Sequence, residues 1–419
     1  MLHITKMYAT MPKLFQINST VNWGSTGRIA EQIGVAAMNH GWESYIAYGR
    51  NSTESRSHRF AMGSSASRAW HLALSRLLDR HGLGSRCATK HLVDELRRVE
   101  PDIIHLHNLH GYYLNYPTLF DYLKSCRAKV VWTLHDSWTY TGHCSHYITT
   151  GCRKWVEGCK SCDHVSSYPR CFDLGINHRT AQNFELKQRL FTSLGDRLVV
   201  VPVSDWLATE CRQSLFKNST IETIHNGIDI DTFRPVNGDS VRQKHDIGNR
   251  TLLLFVANVW TEKKGWSDIF RLREHLSDDY AMVVVGVTHE QQASLPRGVV
   301  GVCHTKNVAE LAEYYSAADI AVSLSRQETF GLTIAEAMAC GTPVIIYNTT
   351  AMPELITPET GMAVDGIGDI EAMAETIHAI RSHGKAHYAE ACRKRAVEHF
   401  DKDICFEHYI KLYDKLLTT

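Results

Sequence analysis

The sequence has no surplus of either charge: 45 Lys plus Arg are balanced by 45 Asp plus Glu in 419 residues. Such a chain raises no basic field that would steer it onto nucleic acid or an anionic membrane, so any anion it holds must be bound locally. Long apolar runs are missing as well. The longest, such as LLLFVANVW at 252–260, fall far short of the about 20 residues a membrane-spanning helix needs. The first residues, MLHITKMYATMPKLFQINS, carry no long apolar segment with a small-residue cleavage site, so a cytoplasmic protein is expected, touching the inner face of the cytoplasmic membrane at most peripherally. Residues 1–10, ahead of Met11, are expected to be either a disordered leader or the product of an upstream start-site choice, without function. Repeats and low-complexity segments are absent, and the length favours two domains over one core.

Cysteine is neither scarce nor abundant, at twelve. Cys87, Cys126, Cys211, Cys303, Cys340, Cys392 and Cys405 are scattered singly, mostly inside stretches that read as helices or strands, and are expected to be reduced core residues. The other five fall between 144 and 171. Cys159-x-x-Cys162 has metal-ligand spacing, but Cys144 and Cys152 are eight positions apart. Structural zinc on Cys144, Cys152, Cys159 and Cys162, free thiols, and disulfides all stand open, with His143, His146 or Cys171 as substitute ligands.

What is present is a rhythm. From Lys13 short apolar runs alternate with longer amphipathic ones: KLFQIN, a glycine-containing loop, a helix beginning RIAEQIG, then ESYIAYG. Further strands are expected at DIIHLH, KVVWTL and RLVVVPV, and the pattern restarts at TLLLFVA with AMVVVG, GVVGVC, IAVSL and PVIIY following. Runs apolar throughout belong to parallel strands covered on both faces. Two doubly wound α/β domains facing across a cleft are therefore expected, 1–224 and 225–402, with a C-terminal helix over 403–419 packing back on the first. Ligands of such sheets sit beyond the carboxyl ends of the strands.

The candidate chemistry lies at those ends. Gly24-Ser-Thr-Gly27 follows the first strand and opens a helix, either to seat an anion on backbone N–H groups or only to make a tight turn. It matches neither GxGxxG nor the GxxxxGK[ST] phosphate loop. His135 ends the strand KVVWTL at the cleft, with His105, His107 and His110 as cleft lining. Lys263, Lys264 and Gly265 follow TLLLFVA and precede a helix, where two cations can neutralise a pyrophosphate. In ETFGLTIAEAM, Glu328 lies on a loop, and the N–H groups of Phe330, Gly331, Leu332 and Thr333 open a helix that can hold an anion. Glu336 lies in its first turns, placed to accept hydrogen bonds from a ribose diol. The plain alternatives are a dipole partner and a surface acid.

At these residues the sequence resembles glycosyltransferase family 4, whose members have the GT-B fold and transfer sugars with retention. The likeness runs over nearly the whole chain. It rests on E-x-FG-x-x-x-x-E (Glu328, Phe330, Gly331, Glu336), on GTPVIIYNTTAMPELI after it, and on IHNGIDIDTFRP at the domain junction. The stretch TLHDSWTYTGHC is similar to members that build bacterial exopolysaccharides such as colanic acid, or capsules. The resemblance implies a nucleotide-diphosphate sugar, UDP- or GDP-linked, as donor, a glycan or lipid-linked acceptor, no nucleic-acid partner and no catalytic cofactor or metal. By it, Glu336 holds the ribose, Glu328 and His135 the sugar, Lys264 the diphosphate, and Gly24 to Gly27 the phosphates or acceptor. Two positions depart from the family: Ala257-Asn258-Val259 replaces Gly-Arg-Leu, leaving Lys263 to stand in for the arginine, and Thr350-Ala351 replaces Gly-Gly. An epimerase or phosphorylase on this fold, or a non-catalytic nucleotide-sugar-binding subunit, is the alternative. Asp229-Ile-Asp231 has the look of a cation-binding pair but is expected to shape a turn, bent at Asn226-Gly227 and capped by Asp231.

Overall fold

The computed structural model describes residues 11–174 and 179–418; the expectation for residues 1–10 lies outside them. Two wholly parallel sheets carry the fold. The first is ordered β3-β2-β1-β4-β5-β6-β7, from β1 (Lys13–Asn18), β2 (Glu43–Tyr48), β3 (His58–Ala61), β4 (Ile103–Leu106), β5 (Lys129–Leu134), β6 (Leu198–Pro202) and β7 (Thr220–Ile221). The second is ordered β10-β9-β8-β11-β12-β13, from β8 (Thr251–Val256), β9 (Tyr280–Val285), β10 (Val299–Val302), β11 (Ile320–Ser323), β12 (Val344–Tyr347) and β13 (Gly361–Val364). Strand order reverses between β1 and β4, and again between β8 and β11, which opens a crevice at the carboxyl end of each sheet.

The central strands are apolar because helices cover both faces: Val130, Trp132, Leu253 and Val283 are all fully buried. The C-terminal helix Lys402–Thr418 leaves the second domain and packs on the first. Its Tyr409, Ile410 and Tyr413 join Leu14, Ile29, Ile33 and Trp42 in one apolar cluster.

Two crossings run side by side between the domains. Ile228 N–H donates to the Phe400 carbonyl at 2.7 Å, and Lys402 N–H donates to the Ile228 carbonyl at 2.9 Å. Gly227 is needed for this close approach, since a Cβ there would lie 2.3 Å from Lys402 Cα. The expected bend at Asn226-Gly227 is thus a crowded crossing. The capping acid is Asp229, not Asp231: Asp229 Oδ1 accepts from the N–H groups of Asp231 (3.1 Å) and Thr232 (3.0 Å), while Oδ2 pairs with Lys402 Nζ at 2.8 Å.

Candidate active site

The turn after β1 is built as a tight strand-to-helix passage. Gly24 takes φ +65°, and a Cβ on Gly27 would lie 2.6 Å from Thr20 Oγ1. In the second domain Gly331 (φ +109°) turns the chain into the helix Leu332–Ala339, so the amide groups at its start face the crevice. Between these two turns lies a cavity of about 360 Å³ lined by Ser25, Thr26, His135, Val259, Lys264 and the run Glu328 to Thr333. A larger groove of about 660 Å³, lined by Arg97, Tyr122 and Leu416 among others, opens at the amino ends of β4 and β5, where parallel sheets do not present their ligand loops.

Several of the expected residues meet here. Lys264 Nζ pairs with Glu328 Oε1. The Glu328 N–H donates to Thr350 Oγ1 at 3.0 Å. Thr350 holds φ +54°, an uncommon conformation for a β-branched residue, at a position where the family carries glycine. The loss of glycine therefore supplies a hydroxyl that fixes the Glu328 backbone. Thr329 Oγ1 donates across the cleft to the His135 carbonyl at 2.8 Å, and Gln327 reaches the Ile148 N–H and His146 Nδ1. Glu354, from the second domain, accepts from the N–H groups of Asp205 and Trp206, the N-terminus of a first-domain helix.

Glu336 stands behind this lining, its Oε2 accepting from the Tyr315 hydroxyl at 2.9 Å. Burial pushes its carboxyl up to about 7, opposed by that hydrogen bond and by the guanidinium of Arg28. Lys263 is also outside the lining, and burial lowers its ammonium. In place of the family's arginine, Asn258 and Val259 line the cavity; Val259 is 61% exposed.

His105 and His107 are corrections, being fully buried and not cleft lining. His105 is held by the Tyr413 hydroxyl (2.6 Å) and Thr133 Oγ1 (2.7 Å). His110 Nε2 pairs with Asp136 Oδ2 at 2.6 Å. Ser25 and Thr26, inside the Gly24 to Gly27 turn, line the cavity as that turn's reading implied, while sequence reasoning missed Arg28, whose guanidinium acts on Glu336. The only signal for Arg28 was its place just after that turn.

The cysteine cluster does not form a closed cage. All twelve cysteines are free thiols. Burial raises Cys144 to about 12, with Cys162, Cys159 and Cys152 adding to it, so the four are neighbours. Yet no three of these sulfurs come within 4.8 Å of one another among the described residues. Cys159 Sγ accepts from Gly142 N–H at 3.2 Å, and both His143 nitrogens are occupied, by Asp79 and the Ser167 carbonyl. A four-thiolate zinc site would require the sulfurs to close up. Metal analysis of protein purified without a histidine tag is expected to find less than about a tenth of an equivalent of zinc, and near one equivalent would show that they do close.

Comparison with known proteins agrees with this fold. The family described as Glycosyltransferase Family 4 matches residues 26–232, and Glycosyl transferases group 1 matches residues 250–383. The chain carries a glycosyltransferase family 4 domain followed by a glycosyl transferases group 1 domain. It is a glycosyl transferase with the GT-B fold. The colanic acid biosynthesis glycosyl transferase WcaC of Escherichia coli K12 is 25% identical over 366 residues, covering 84% of this chain and 87% of that protein. A D-inositol 3-phosphate glycosyltransferase of Mycobacterium sp. (strain JLS) is 30% identical over 197 residues, 43% of each chain. Among solved structures, sucrose-phosphate synthase from Thermosynechococcus elongatus matches with TM-score 0.70 at 16% identity, covering 97% of this chain and 99% of that one. Anabaena HepE in complex with UDP-glucose matches with TM-score 0.66 at 14% identity, over 96% and 99%.

Proposed function

We propose that this glycosyltransferase takes a UDP- or GDP-linked sugar and transfers it, with retention and without a catalytic metal, to a hydroxyl of a growing bacterial surface polysaccharide or its lipid-linked precursor. The observation that carries this reading is the convergence of Lys264, Glu328 and the N-terminus of helix Leu332–Ala339 on one cavity that His135 faces from the other domain. The N–H groups at Gly331 to Thr333 and the lysine neutralise a diphosphate. Glu336 accepts from the ribose, and Glu328 and His135 meet the sugar.

Transfer breaks the bond between the anomeric carbon and the phosphate oxygen and forms the new bond on the same face. The departing phosphate takes the acceptor's proton, so no side chain need be a covalent nucleophile. The protein stabilises the leaving charge and positions both partners. Asp229, already engaged by Lys402 and two N–H groups, is committed to the domain crossing. The likeness to WcaC supports a polysaccharide acceptor. No described helix is long and apolar enough to cross a membrane. A peripheral contact is supported by helix Ser65–Leu78, which leaves Trp70 65% exposed with Arg68 on the same helix and Arg80 just beyond it.

Thermal stability measured with UDP-, GDP- and ADP-sugars tests the reading. One base is expected to raise the melting temperature in proportion to the logarithm of its concentration. No stabilisation by any of them would sink it.

The carboxyl of Glu336 adds a pH dependence. Its pKa in the free site is about 7, and the form that accepts from the ribose diol is the carboxylate, so binding favours proton loss. Nucleotide affinity is expected to rise as pH increases through about 7, and Glu336→Gln to flatten that rise. Equal slopes in the two proteins, measured by calorimetry, would contradict the ribose assignment.

A further inference from the structure

Resting on the reading of the cavity as a sugar-nucleotide site, we infer that Gln16 and His107 are positioning residues that keep the proton of His135 on Nε2, so that Nδ1 meets the donor sugar as a hydrogen-bond acceptor. The sugar admitted there is then a neutral hexose presenting a hydroxyl, not a uronate presenting a carboxylate.

The chain of bonds fixes every donor in turn. Gln16 sits in the middle of β1, fully buried, and its Nε2 donates to the Ala30 carbonyl at 2.8 Å. A carbonyl cannot donate, so the amide cannot turn over, and Oε1 must face the other way. There it lies 3.0 Å from His107 Nε2, which therefore carries a proton. His107 is buried beside His105 and His135, and burial and those two rings keep it neutral. A neutral ring with its proton on Nε2 has a lone pair on Nδ1. That Nδ1 lies 3.1 Å from His135 Nε2, so His135 is the donor of this bond.

His135 is itself neutral at pH 7, since burial lowers it to about 4 against the pull of Asp136. Its single proton is thus on Nε2, and Nδ1 holds a lone pair with no hydrogen-bond partner among the described residues. Asp136 does not compete for the ring, because its oxygens are taken by His110 Nε2 (2.6 Å) and the Trp138 N–H (2.9 Å). The ring lines the cavity with Lys264 and Glu328. A sugar hydroxyl can donate to that lone pair, whereas a carboxylate would set lone pair against lone pair with no proton to share.

Nitrogen NMR of protein labelled with ¹⁵N-histidine tests this without any substrate. The His135 signals are identified by their loss in His135→Gln. A protonated Nε2 and an unprotonated Nδ1 at pH 7 are expected; an Nδ1–H tautomer, an averaged mixture or a doubly protonated ring would overturn the proposal. In His107→Gln the amide can face His135 either way. A mixed His135 tautomer is expected there, with about tenfold lower kcat/KM for a nucleotide hexose and an unchanged Kd for the nucleoside diphosphate. Full retention of the wild-type tautomer in that variant would remove His107 from the role. Should that variant fail to fold, the wild-type spectrum still decides. Nucleotide hexose is expected to bind tighter than the hexuronate of the same base, and equal binding would overturn the selectivity. If Glu336→Ala binds nucleoside diphosphate like the wild type, it is the donor-site reading that fails, whatever the tautomer.

Discussion

Glu328→Ala is expected to lower kcat by about 100-fold or more while moving the Kd of the nucleoside diphosphate little. Glu328 is held on three sides: its N–H by Thr350 Oγ1, its carbonyl by the Ala351 N–H, and its carboxylate by Lys264. A group fixed this firmly does not need to reorganise when charge develops on the sugar, which is where removing one preorganised electrostatic contact costs about 10²- to 10³-fold. The carboxylate lies on the loop before the turn at Gly331, and in the proposed reading it reaches beyond the phosphates held there, so nucleotide affinity has little stake in it. Steady-state kinetics beside calorimetry separate the two effects. A Kd that rises as far as kcat falls would move Glu328 from the sugar to the nucleotide. Lys264→Met serves as the companion variant: it is expected to weaken diphosphate binding as well, because it removes a cation that faces the cavity.

The second large effect is the reverse. Glu336→Ala is expected to weaken nucleoside diphosphate binding by roughly 10- to 150-fold for each ribose hydrogen bond lost, since a bond to a charged group contributes about 1.5–3 kcal/mol. Turnover at saturating donor should fall less. Tyr315 is the necessary control, because its hydroxyl donates to Glu336 in the free protein and loses its partner in the variant. Tyr315→Phe frees the carboxylate without removing it, and is expected to leave nucleotide binding within a few fold of wild type. An unchanged Kd in Glu336→Ala would contradict the assignment of the two-glutamate motif.

The central strands of both sheets were legible because burial on both faces leaves continuous apolar runs, as in KVVWTL and AMVVVG. The strands not foreseen lack that signature. β3 reads HRFA and is largely exposed at the edge of its sheet, and β13 begins at a glycine. Gly361 is there because a Cβ would sit 2.1 Å from the Val344 carbonyl, a contact across strands that no local pattern announces. The same division holds at the site. His135, Lys264, Glu328 and Phe330 to Thr333 could be placed because each follows a strand, and strand ends converge in this architecture. The roles of Gln16, His107 and Thr350 arise from neighbours brought together by the order β1-β4-β5 and by the loop after β12, so they became visible only in three dimensions. Asp229 and Asp231 differ for a related reason: which of two similar acids caps a turn depends on where Lys402 crosses.

The measurement that tests the account most directly is proton NMR of the sugar transferred from the stabilising nucleotide hexose, to acceptor or slowly to water, in excess EDTA. The account predicts that nucleoside diphosphate is released and that the first-formed anomer has the configuration of the donor. An inverted anomer, or release that stops in EDTA and returns only with a divalent cation, would contradict it.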